Sequence, residues 1–217
     1  MIRIYECMTG NGYFMKKLFL IIIFISFVLQ GCMTVNRQML GKVDVEPPTQ
    51  KAAAIVEVKA GDFVQTLNGG KPDKDALPGP VALRGIARTI LTSWKRSNII
   101  AGYYFEGSTR SIPDYTIIIS GSSNKESSTL RNVLCGLTLM LIPASTTMTY
   151  DLNIELINNH SRKHYHVKAG NSVTEYRQLF LLPAVLFYSQ GGQEMLQDIA
   201  DYTYDEFKKQ GTFNLYL

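Results

Sequence analysis

Cysteine is scarce in this chain: Cys7, Cys32 and Cys135 are the three among 217 residues. Their scattered positions give neither a disulfide framework nor the paired spacing of a zinc knuckle. Charge is thin as well, at 18% of residues where globular chains average ~25%. The formal net charge of +4 is too mild to argue for a nucleic-acid partner. A 46% hydrophobic share excludes disorder as the general state. No run reaches ~18 uninterrupted apolar residues, which excludes a polytopic membrane protein. Catalytic signatures are missing too: there is no G-x-S-x-G, no H-E-x-x-H and no phosphate-cradling glycine loop. Gly69-Gly70-Lys71-Pro72 reads as a turn, since it lacks P-loop spacing and a following Ser or Thr. An enzyme is therefore not expected, and no cofactor or metal is implied.

What is present begins with an address. Met15-Lys16-Lys17 precedes the apolar run Leu18 to Leu29, and Gln30-Gly31-Cys32 comes next. A short basic segment before about a dozen apolar residues is a secretory signal, too short to span a bilayer well. Leu29-Gln30-Gly31-Cys32 resembles the lipobox of bacterial lipoproteins: an aliphatic residue, a tolerant position, a small residue and a cysteine. The resemblance implies that signal peptidase II reads Leu29, Gly31 and Cys32 and cuts after Gly31. It also implies a diacylglyceryl thioether on Cys32 and, in Gram-negative bacteria, a third acyl chain on the new amine. Met33, where Asp would mark retention, resembles the pattern of lipoproteins passed on to the outer membrane.

Residues 1–31 are thus read as a signal peptide, with translation starting at Met15 because residues 1–14 add Glu6 and Cys7 ahead of a complete signal. Residues 32–51 read as a lipidated tether: they show no sustained periodicity, and Pro47-Pro48 favours extended backbone. Residues 52–217 read as a single α+β domain. Ala54 to Val58 is a short strand, and Asn68 to Asp73 is turn chemistry. Pro80 then opens a helix to about Arg96, with Leu83, Ile86, Ala87, Ile90, Leu91 and Trp94 at helical spacing. Ile99–Phe105 and Tyr115–Ser120 are strands. Leu152, Ile154 and Leu156 alternate with Asp151, Asn153 and Glu155, and Lys163–Val167 returns as the hairpin partner across Asn158-Asn159-His160-Ser161. Met195, Leu196, Ile199, Thr203 and Phe207 mark a last helix that Gly211 stops. The expected fold is a small β-sheet with two helices packed on it, in the order β-α-β-β-β-β-α.

Two apolar runs stand out, Val133–Pro143 and Leu179–Tyr188, each containing a proline and neither long enough to cross a membrane. They either fill the core or form an apolar projection toward a membrane or a partner. The first comes after a polar stretch, Ser120–Arg131, that reads as a surface crossing. Leu137-Thr138-Leu139-Met140-Leu141-Ile142-Pro143, the strand opening Tyr150-Asp151-Leu152-Asn153-Ile154, and the segment Tyr176–Phe187 resemble features of a loose group of uncharacterised proteobacterial lipoproteins. That resemblance covers about the last 90 residues and implies no activity.

His164 and His166 stand two apart on a strand, with His160 in the preceding turn. Paired imidazoles can ligate a metal, but Tyr165 and Val167 supply the apolar face, so these histidines should point to water. Cys135 reads as a packed thiol. Arg84, Arg88 and Lys95 form a basic face suited to water or to anionic headgroups. Together these readings predict a membrane-anchored periplasmic lipoprotein, non-enzymatic, an accessory or scaffold component of the cell envelope at the outer membrane. Its partners would be membrane lipid, through acylated Cys32, and an envelope protein complex, with no nucleic acid. A lipoprotein that binds lipid or another small apolar ligand is the alternative.

Overall fold

The computed structural model describes residues 54–108, 112–138, 140–178 and 191–213, the strand Cys32–Asn36, and the single positions Lys17, Leu40 and Val43. The elements run β1 (Cys32–Asn36), β2 (Ile55–Leu67), β3 (Lys71–Pro72), α1 (Gly79–Arg96), β4 (Gly102–Phe105), β5 (Tyr115–Ser127), α2 (Thr129–Leu137), β6 (Ala144–Asn158), β7 (His164–Arg177) and α3 (Gly191–Lys209). The class is α+β, with helices packed on a sheet. The chain divides into two compact units. Among the described residues, the smaller holds Lys17, 32–33, 128–138, 140–145 and 175–178, and the larger holds the rest from residue 34 onward.

The described strands form one mixed sheet in the order β1-β7-β6-β5-β2-β3, with β4 also on β2. β2 pairs parallel with both β4 and β5, and β5 pairs antiparallel with β6. Asn68 and Gly69 take positive φ, which lets β2 fold straight back into β3 through Leu67↔Lys71.

In the larger unit, one sheet face carries the core. Val56, Val58, Ile117, Ile119, Leu152, Ile154 and Leu156 point to it, and α1 and α3 cover it. Helix α1 forms where expected, behind Pro78 and Pro80, and buries the predicted stripe from Leu83 to Trp94. It runs back along β2: Gly79 lies against Phe63, and the exit chain donates from Ala101 N to Ala54 O at 2.9 Å. Trp94 joins the helices. It is fully buried, its Nε1 donates to Ala200 O at 2.9 Å, and its ring meets Phe207 and Phe213 edge-on at 6.3 and 5.8 Å. The opposite sheet face stays wet, with Lys59 paired to Glu57 and Glu106 at 3.6 and 3.5 Å.

Four strands are far longer than their apolar alternation suggested. β5 continues through Ser127, so Ser120–Arg131 is strand and then the opening of a helix rather than a surface crossing. A row of small residues marks where the character changes. Gly61 lies in a bulge of β2 against Ser120, Gly121 pairs with Leu152 at φ +142°, and Gly170 lies over Asp151. Past this row β5, β6 and β7 are rich in Ser, Thr and Asn, and the strands are held by pairs such as Thr66–Asn124 and Thr147–Thr174, both at 3.0 Å. Two further differences concern number and place. A third helix, α2, joins the two expected ones. Cys32–Asn36, the start of the expected tether, is an edge strand beside β7. Leu179–Tyr188 lies outside the described residues.

The glycine row makes a graded prediction. A Cβ on Gly121 would overlap the Asp151 carbonyl oxygen at a φ that side chains rarely adopt. Gly121→Ala should therefore cost on the order of 3 kcal/mol in urea unfolding. At Gly170 the obstacle is the Asp151 carboxylate at 2.8 Å, a side-chain end that can move, so Gly170→Ala should cost clearly less.

Candidate functional site

The surface that departs furthest from ordinary packing, among the described residues, is built by α2. Its start obeys local chemistry: Ser128 is extended and its Oγ accepts from Arg131 N at 3.3 Å as an N-cap. Leu130, Val133, Leu134 and Leu137 recur at i, i+3, i+4 and i+7, the single stripe that ordinarily faces a core. Here it faces outward: Leu130 is 71% exposed, Leu137 76%, Val133 52% and Leu134 38%. The buried side carries Cys135, whose Sγ donates to Arg177 O at 3.7 Å. Thr129, Arg131 and Gly136 are exposed as well, so the helix buries little more than that one thiol. Each leucine-sized side chain left in water forgoes ~1.5–3 kcal/mol of burial.

Thr138 ends the helix and shapes the turn beyond it. Its Oγ1 donates to Leu134 O at 2.7 Å and accepts from Ile142 N at 3.2 Å, while Met140 N donates to Cys135 O at 2.7 Å. Met140 takes φ +64°, a left-handed conformation uncommon outside Gly, Asn and Asp. This turn sets Leu141 and Ile142 on the surface as well, at 53% and 39% exposed, before Pro143 closes it. From 127 to 150 the sequence has no acidic residue, and Arg131 is its only charge. The run Val133–Pro143 is therefore surface and not core. Of its described residues, only Cys135 is buried.

Of the lipobox positions, Cys32 opens β1, whereas Leu29, Gln30 and Gly31 lie outside the described residues. The histidines are exposed, as the strand alternation predicts. His164 Nδ1 lies 2.7 Å from Glu155 Oε1, His166 Nε2 is 3.9 Å from the same oxygen, and His160 Nε2 is 3.5 Å from Asp114 Oδ1. Among the described residues no three His, Cys, Asp or Glu side chains gather as a metal site. Arg84, Arg88 and Lys95 are exposed, and the Arg84 guanidinium sits 5.9 Å from the Phe105 ring centre. Beside that pair is a pocket of about 220 Å³, edged by Lys59, Arg84 and Glu106 as well as by Leu83 and Phe105. No described helix is long and apolar enough to cross a membrane.

No protein-family model and no curated protein sequence matches the chain. Among solved structures it is similar to a protein of family DUF330 from Xanthomonas campestris, at 11% identity and TM-score 0.41, over 78% of this chain and 95% of that one. It is also similar to a PelC dodecamer subunit from Paraburkholderia phytofirmans, at 12% and 0.28, over 81% and 95%. A neuraminyllactose-binding hemagglutinin homolog from Helicobacter pylori is similar at 7% and 0.33, over 79% and 89%. At these scores the likenesses assign neither a family nor an activity.

Sequence reasoning singled out the run from Val133 but left Leu130 in a polar segment. The spacing of 130, 133, 134 and 137 was the signal that joins them into one stripe. Exposure makes the stripe expendable for folding. Leu137→Ser should change the unfolding free energy by no more than about 0.5 kcal/mol, as surface substitutions do. Ile90→Ala, in the buried stripe of α1, should cost ~2–5 kcal/mol in the same urea titration.

Proposed function

We propose that this chain is a lipid-anchored, non-enzymatic lipoprotein of the cell envelope, an accessory or scaffold component held at the outer membrane and facing the periplasm. The observation that carries this reading is the order Lys16-Lys17, apolar run, Leu29-Gln30-Gly31-Cys32, with a strand of the sheet opening at Cys32 itself. A cut after Gly31 removes the address and leaves β1 whole. Two or three acyl chains on Cys32 give stable attachment where one is marginal, since each buried CH₂ contributes ~0.8 kcal/mol. The wet face of the sheet, with Glu57, Lys59, Glu155, His164 and His166, suits a scaffold that meets partners through polar contacts.

The alternative is carriage of an apolar ligand, which needs an apolar cavity; the described pocket beside Phe105 combines apolar walls such as Val58, Leu83, Ala87 and Ile119 with three charged side chains. The anchor is tested by the intact mass of detergent-extracted protein beside a Cys32→Ser variant. The expected mass is a chain starting at Cys32 with two or three acyl chains, and the variant should lack both the cut and the lipid. An unlipidated chain that keeps residues before Cys32 would overturn the reading.

A further inference from the structure

We infer that α2 and the turn after it form a second membrane contact, lying in the surface of the same leaflet that takes the acyl chains of Cys32. This rests on the lipid-anchor reading and adds a partner, the bilayer, to a surface that the lipobox does not involve. Three observations select lipid as the occupant. Cys32 and Met33 fall in the same compact unit as 128–145. The 127–150 segment has no acidic residue, and its one charge, Arg131, is a cation at the edge of the stripe, where it can meet anionic headgroups. The geometry is interfacial: a nine-residue helix is far too short to span, and its polar and apolar residues are segregated.

Size argues in the same direction. Leu130, Val133, Leu134, Leu137, Leu141 and Ile142 together expose on the order of 500 Å², near the top of what monomers leave uncovered. A patch of that size marks a surface that something other than water covers.

The test uses the full-length chain, expressed with its lipid and reconstituted into phosphatidylethanolamine–phosphatidylglycerol vesicles. An environment-sensitive fluorophore is placed on Leu137→Cys, on Leu130→Cys in a second sample, and on Ser161→Cys, in the β6–β7 turn, in a third. All three positions are exposed, so labelling leaves the core alone. The expected result is a blue shift at 130 and 137 on reconstitution, with quenching by brominated lipid tails several-fold stronger than at 161. Emission at 130 and 137 as water-like as at 161 would overturn the inference. So would labels that leave water but ignore brominated lipid and transfer energy between copies, which would assign the patch to a second copy of this chain. The intact mass of the same samples separates the two readings. An unlipidated mass defeats the anchor, while the quenching still judges α2.

Discussion

The structure is organised by a mismatch of lengths. A strand advances ~3.3 Å per residue and a helix 1.5 Å. The 13 residues of β2 therefore reach about 43 Å, and the 18 of α1 only about 27 Å. Helix α1 covers β2 between Phe63 and Ala54. Past the row Gly61–Gly121–Gly170 the sheet changes chemistry, and β5, β6 and β7 go from Ile, Leu and Val to Ser, Thr and Asn. Hydroxyl and amide pairs across the strands, such as Thr66–Asn124 and Thr147–Thr174, replace packing as the cross-strand contact. Within the core half, Trp94 serves both layers of contact, through its indole N–H to α3 and its two aromatic edges.

The end of the polar extension is where α2 leaves β5, and its outward leucines make sense only there. A helix laid over the core half would have to turn its stripe inward, as α1 and α3 do. A helix in the smaller unit buries only Cys135, a small side chain. The same sequence period that builds a core in one place therefore leaves a sticky surface in the other. Evolution tolerates such a surface when something other than water meets it.

The same division decides how much of this was legible. The apolar half of the sheet, the stripes of α1 and α3, the Asn-Gly turn after β2 and the Leu152–Leu156 alternation were all readable, because burial imposes a period on the sequence. The polar halves of β2, β5, β6 and β7 were not. Ser120–Ser127 has the composition of a loop, and its pairing with β2 on one side and with Asn153–Thr146 on the other makes it a strand. β1 was hidden for a similar reason: five residues at an edge carry too little pattern to outweigh a neighbouring Pro-Pro. The candidate site was half legible. The run from Val133 announced itself by composition, but whether it turned in or out was a tertiary fact. The period gave the stripe, and the short inward face of α2 gave its direction.

The position of Cys32 bears on how an anchor would meet the fold. A flexible tether of some twenty residues would let the folded part wander tens of Å from its lipid, and a weak apolar contact would be made and lost independently. Because β1 opens at Cys32 and lies beside β7, the proposed attachment point is the first residue of an edge strand. Edge pairing gains as well, since β1 covers the open side of β7 and removes a free strand edge. One short strand thus covers the edge of β7 and begins at the residue where the lipid is proposed to attach.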